Sequence, residues 1–110
     1  MISKELIAAS SSIIILSILK ESENYGYQII KKVKELSGEK INWTDGMLYP
    51  VLHRLESKGF ISSSWKESDI GRKRKYYKIT EIGRNELKNE KKQWSTVNNT
   101  LGAIWGLNDI

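Results

Sequence analysis

A mainly α-helical fold carrying one small two-stranded β-hairpin is what this 110-residue chain predicts, and three observations predict it. Apolar residues recur at helical spacing in three segments before residue 58. Two short β-branched and aromatic stretches flank a Ser-Asp-Ile-Gly turn at 68–71, and a long polar tail carries a sparse, heptad-like apolar seam.

Residues 3–20 form the first helix. Leu6, Ala9, Ile13 and Leu16 share a face, and the Ile13–Leu19 cluster is apolar nearly all round, the pattern of a helix buried as the spine of a core. Glu21-Ser22-Glu23-Asn24 ends it, and Asn24 is placed to cap a second helix in which Tyr25, Ile29, Val33 and Leu36 share a face. Lys31, Lys32 and Lys34 favour the C-terminal half of that helix, where cations complement its dipole, and Gly38 supplies a left-handed terminator. Thr44 caps a third helix, with Asp45 in its first turn, Leu48, Val51, Leu52 and Leu55 at i, i+3, i+4 and i+7, and Lys58-Gly59 closing it. Pro50 opposes this, because it removes one backbone hydrogen bond and crowds the carbonyl four residues back, that of Gly46. The apolar period runs through the proline, so one helix from about Thr44 with distorted first turns is expected rather than a start at Pro50.

Phe60–Trp65 and Arg74–Ile79 are the two strands. Alternation puts Ile61, Ser63 and Trp65 on one face of the first, and Tyr77 with Ile79 on one face of the second. Thr80-Glu81 then caps a long last helix, in which Leu87, Trp94, Val97, Leu101 and Ile104 recur at spacings of 7, 3, 4 and 3. After a completed unit such a seam has nothing in its own chain to bury against; dimerisation would bury it. The chain divides into a unit at 1–79 and a C-terminal dimerisation helix at 80–110. Three helices followed by a hairpin is the winged helix-turn-helix arrangement.

Charge is local. Lys66–Lys78 holds six basic and two acidic residues (+4), whereas 1–65 amounts to +1 and 79–110 to zero. A basic element beside a compact helical unit points to a polyanion, since neutralised phosphates release counterions and give sequence-independent affinity; charge alone also allows a merely solvated hairpin. At 39% apolar the chain fits one small core. The absence of cysteine removes disulfides, thiolate metal sites and Cys nucleophiles together and suits a reducing compartment. The longest apolar run, Ile13–Leu19, falls far short of the ~20 residues that span a bilayer. Glu5 offsets Lys4 before that run and Lys20-Glu21 follows it, against a secretory leader. A cytoplasmic protein without membrane association is expected. An enzyme is not: one histidine, no P-loop, no metal-ligand cluster, no cofactor motif and no evident carboxylate pair are present.

Four strings narrow the class: Tyr25-Gly26-Tyr27 opening helix two, Leu48-Tyr49-Pro50-Val51-Leu52-His53-Arg54-Leu55-Glu56 in helix three, Gly71-Arg72-Lys73-Arg74-Lys75-Tyr76-Tyr77 in the hairpin, and Thr80-Glu81-Ile82-Gly83-Arg84 after it. Together, over residues 5 to about 90, they closely resemble the PadR family of bacterial transcriptional regulators. The resemblance implies a homodimeric winged-helix repressor that binds double-stranded DNA at an inverted repeat. The tail string Lys92-Gln93-Trp94-Ser95-Thr96-Val97 is similar to the short, LmrR-like, multidrug-sensing members with one C-terminal helix. In those, two such helices cross in the dimer and a tryptophan from each stacks on planar aromatic compounds. Trp94 matches that position, with Leu6, Ala9 and Ile13 of helix one expected against it, while Glu90, Lys91 and Asn98 stand where apolar groups would serve a ligand slot. Packing of the dimer seam is the other role open to Trp94.

On helix three the apolar stripe faces the core, so Gly46, Pro50, His53 and Ser57 point away, with Tyr49 and Arg54 on the flanks. Thr44, Gly46 and Met47 would approach bases or sugars; Tyr49 would donate its hydroxyl to a phosphate unless it is a half-buried packing aromatic; Arg54 would reach the backbone. At the hairpin Arg72, Lys73 and Arg74 are candidate phosphate or minor-groove contacts, Lys75 alternates to the opposite face, and Tyr76 or Tyr77 packs under the sheet. An RNA-binding winged helix and a protein-interaction adaptor are the alternatives that share this patch.

Overall fold

The structure, a computed structural model, describes residues 2–106. Among them the elements run α1 (Lys4–Glu21), β1 (Asn24–Tyr25), α2 (Gly26–Leu36), α3 (Asp45–Ser57), β2 (Ile61–Glu67), β3 (Lys73–Ile79) and α4 (Glu81–Trp105). Positions 107–110 of the expected C-terminal segment lie outside the described residues. Three helices, a hairpin and an appended helix reproduce the expected winged helix-turn-helix.

Ser3 caps α1 by accepting the Leu6 N–H at 3.2 Å. Serines inside this apolar helix satisfy themselves locally: the hydroxyls of Ser10 and Ser11 donate to the carbonyls of Leu6 and Ala8, both at 2.8 Å. That leaves Ile15, Leu16 and Leu19 free to form the spine of one core, closed by Ile29, Val33, Trp43, Leu48, Leu52, Leu55, Ile61, Tyr77, Ile79 and Leu87.

Two expectations fail around α2. Asn24 does not cap it. Asn24 and Tyr25 pair antiparallel with Tyr77 and Tyr76, so the sheet has three strands in the order β1-β3-β2 rather than two. A two-residue strand has no alternation to read, and its partner is the otherwise open edge of β3. The buried Asn24 amide donates instead to the Ser22 carbonyl at 3.0 Å, while Tyr25 occupies the cap position with no side-chain bond. Leu36, expected on the core face, is 81% exposed because the helix outruns the core by its last turn. Gly38 does terminate it, at φ +63°.

α3 runs unbroken through Pro50. The N–H groups of Met47 and Leu48 both bond to the Thr44 carbonyl, at 3.1 and 3.0 Å. Gly46 and Pro50 are exposed, so water is within reach of the carbonyl that the proline deprives of a partner. Thr44 stands at the cap but its hydroxyl makes no capping bond. Gly59, at φ +80°, closes the helix.

The β2–β3 ladder runs from Ile61↔Ile79 to Glu67↔Lys73. Ile61, Tyr77 and Ile79 are buried, whereas Trp65, on the same face but farther out, is 66% exposed because the hairpin projects beyond the core. Ser68 closes the turn by donating to the Arg72 carbonyl at 2.6 Å, with Gly71 at φ +77°.

Thr80 fastens α4 at its base. Its Oγ1 accepts the Gly83 N–H at 3.0 Å and donates to the Gly59 carbonyl at 2.6 Å, and its own N–H donates to the Phe60 carbonyl at 3.0 Å. Leu87 is buried in the core, and the Ser12 hydroxyl donates to Glu90 Oε2 at 3.0 Å. The seam therefore does find a partner in its own chain at Leu87, contrary to expectation. Beyond Glu90 the chain covers it poorly: Val97 is 50% and Ile104 71% exposed, and Trp94 and Leu101 are half-buried.

Candidate nucleic-acid interface

β1 pairs only with Tyr76 and Tyr77, so β3 has an uncovered edge from Lys73 to Lys75 on the side facing α2. A groove of about 540 Å³ follows that edge, lined by Tyr25, Gly26, Tyr27, Tyr49, Trp65 and the run Arg72–Lys75. Four cations line it and no carboxylate does, so every formal charge on its lining is positive. The first turn of α2 forms part of the wall, and with no side chain bonded at its cap, helix N–H groups add partial positive charge there.

Tyr49 crosses from α3 to this groove. A Cβ placed on Gly26 would lie 2.4 Å from the Tyr49 hydroxyl oxygen, so the phenol rests on the start of α2 and glycine is what lets it do so. Tyr49 is thus half-buried, as its packing reading expects, and its side chain also lines the groove.

The wing cations are not equivalent. The Arg74 guanidinium lies 4.4 Å from the centre of the Tyr25 ring, and Tyr25 meets Tyr76 edge-to-face at 5.3 Å. Lys66 sits over Tyr76 and forms an ion pair with Glu23. On the opposite face Lys75 lies 5.6 Å from the ring centre of Tyr77, which is the tyrosine that packs under the sheet. Burial raises the Tyr77 phenol above its ordinary value, with the neighbouring Tyr49 and Glu56 adding to the effect.

The sequence-derived candidates separate into three places. Arg72, Lys73, Arg74 and Tyr49 meet in the groove. Thr44 and Gly46 are exposed at the start of α3. Met47 and Arg54 lie on the flank turned toward α1, where with Lys4, Ile7, Ala8, Ser11 and Trp43 they line a separate cavity of about 210 Å³. Of the ligand candidates, Leu6 and Ala9 are open to solvent on α1, while Ile13 and Trp94 are half-buried; a slot between two Trp94 rings needs a second copy. Tyr25, Tyr27, Trp65 and Lys75 join the groove without having been singled out as contacts. The only signal for the first two was the Tyr25-Gly26-Tyr27 string, since which neighbour a helix start faces is not written in its periodicity.

The profile of the "Transcriptional regulator PadR-like family" matches residues 15–89. A transcriptional regulator from Clostridium thermocellum superposes with a TM-score of 0.85 at 31% identity, covering 94% of this chain and 97% of that one. A PadR-like transcriptional regulator from Bacillus cereus gives 0.81 at 29% identity, over 93% and 97%. In sequence, the transcriptional regulator Rv3488 of Mycobacterium tuberculosis is 39% identical over 59 residues, 54% of each chain.

Proposed function

This chain belongs to the PadR-like family of transcriptional regulators, and from that premise we propose that it is a homodimeric repressor acting in the cytoplasm on an inverted-repeat operator. Membership makes it a DNA-binding regulator and not an enzyme. Within the described residues no helix is long and apolar enough to cross a membrane.

In this reading residues 1–79 form the DNA-binding unit. The start of α3, with Thr44, Gly46 and Met47, enters the major groove, Arg72, Lys73 and Arg74 take the flanking phosphates or minor groove, Tyr49 donates to a phosphate, and Arg54 reaches the backbone from the far flank. The observation that carries it is the carboxylate-free groove, which brings together four cations, the Tyr49 phenol and the start of α2. The C-terminal segment 80–110, which holds α4, serves for dimerisation, supported by the exposed Val97, Ile104 and Trp105 on a largely polar helix. Two copies would place two recognition helices about a two-fold axis, which demands operator symmetry. A planar aromatic effector held between the two Trp94 rings, bordered by Leu6, Ala9 and Ile13, would change the spacing of those helices and release DNA through its differential affinity for the two states. Selection from random duplex DNA tests the whole: recovery of an inverted repeat supports it. Failure to enrich any duplex, or preference for RNA in competition, sinks it.

A further inference from the structure

We propose that Tyr25 is a positioning residue for DNA binding, holding the Arg74 guanidinium over the groove with its donor edges free. The inference rests on the groove being the phosphate-binding surface.

The wing has two ways of restraining a cation. Lys66 is paired with the Glu23 carboxylate, which neutralises it and occupies its ammonium. Arg74, its cross-strand neighbour, is held by an aromatic face instead, 4.4 Å from the Tyr25 ring centre. The difference is chemical. A carboxylate consumes the N–H donors that a phosphate would need, whereas stacking uses only the flat face of the guanidinium and leaves its in-plane N–H groups available. A free arginine on a projecting hairpin loses rotamer freedom when it docks; one already laid against a ring loses less. Arg72 and Lys73 are exposed and, among the described residues, make no ion pair or ring contact.

The ring is itself fixed. Tyr25 pairs with Tyr76 in the β1–β3 ladder and meets it edge-to-face. It also immediately precedes Gly26, the first residue of α2 and part of the groove wall. One residue therefore ties the wing cation to the helix start across the groove.

Affinity for a labelled mixed-sequence duplex, measured over a salt series, tests this with Tyr25→Leu, Tyr25→Phe, Arg74→Ala and the Tyr25→Leu/Arg74→Ala pair. Tyr25→Leu should weaken binding about three- to tenfold with the salt slope unchanged, because the cation remains but is no longer held. Arg74→Ala should weaken it at least as much and lower the slope by about 0.9. The double variant should bind like Arg74→Ala alone, and Tyr25→Phe, which keeps the ring, should bind like wild type. A Tyr25 that merely supports the sheet would weaken binding by the same factor whether or not Arg74 is present. Multiplying effects in the double variant, an unaffected Tyr25→Leu, an Arg74→Ala that binds normally, or a Tyr25→Phe as weak as leucine each overturn the proposal. Wild type without salt-dependent duplex binding would instead remove the groove reading beneath it.

Discussion

Replacing Gly83 with alanine adds one methyl group to the first turn of α4, and two physical arguments predict opposite signs for it. Gly83 is helical, without the left-handed φ of Gly38 or Gly71, so intrinsic propensity alone favours alanine by about 1 kcal/mol. The surroundings do not. The new Cβ would stand 1.9 Å from the Phe60 carbonyl oxygen and 2.8 Å from Ile79 Cγ1. Ordinary contact begins at 3.4 Å, so helix and carbonyl must part by the difference, 1.5 Å. That carbonyl cannot withdraw freely, because it accepts the Thr80 N–H and its neighbour at Gly59 accepts the Thr80 hydroxyl. Overpacking costs about 1 to 3 kcal/mol and each fastening bond about 1 kcal/mol; less the propensity gain, a net loss of about 2 to 4 kcal/mol results. Urea unfolding followed by circular dichroism at fixed protein concentration reads it as a lower midpoint with unchanged slope. Gly46→Ala is the control: its Cβ meets only Thr44 Oγ1 at 3.8 Å, so it should raise stability by up to about 1 kcal/mol. A Gly83→Ala protein that unfolds at or above the wild-type midpoint refutes the close-contact argument.

Neutralising Arg72, Lys73 and Arg74 together should weaken binding to every duplex and flatten the log-log salt dependence by about 0.9 per lost phosphate contact; an unchanged slope would move those contacts off the wing. Leu101→Asp with Ile104→Asp should yield monomers by sedimentation, each side chain contributing on the order of 1.5 to 3 kcal/mol when buried, and a wild type that sediments as a monomer at micromolar concentration removes the dimer. A planar cationic dye should quench tryptophan fluorescence in wild type, and Trp94→Ala should abolish most of that quenching while sparing dimerisation; equal dye binding by both, or dissociation of the variant, makes Trp94 a packing residue. Glu90 has its carboxyl pKa raised, chiefly by burial, with the Ser12 bond opposing and Glu86 adding to the rise. The folded state thus binds this proton more tightly than the unfolded one, so the group's stabilising contribution is complete below the ordinary carboxylate value and declines as pH rises through the raised one. Glu90→Gln should flatten that decline in urea midpoints taken from about pH 4 to about pH 7; a decline identical to wild type would assign it to other groups.

What could be read from the chain was whatever depends on near neighbours in sequence. The stripe of α3, the apolar Ile13–Leu19 run of α1, the terminators Gly38 and Gly59, the Thr80 cap and the concentration of charge at Lys66–Lys78 all follow from spacings of a few residues, because helix faces, caps and turns are themselves local. The α1 face Leu6-Ala9-Ile13-Leu16 does not hold, since Leu6 and Ala9 are exposed and Ser11, Ile15, Leu16, Ile18 and Leu19 are the buried set. Pro50 was legible for the same reason, since its damage reaches only four residues back. The four family strings combined such local features into a class. Tertiary structure alone decided the rest. Asn24 is a strand residue and not a cap because the open edge of β3, distant in sequence, is laid beside it. Leu36 is exposed because the core ends before α2 does, and Leu87 is buried because α1 lies alongside α4. The flanks of α3 looked equivalent in periodicity, yet Tyr49 faces the wing while Met47 and Arg54 face α1. A periodic pattern states which face of an element must be covered; which neighbour covers it depends on long-range packing that no local pattern carries.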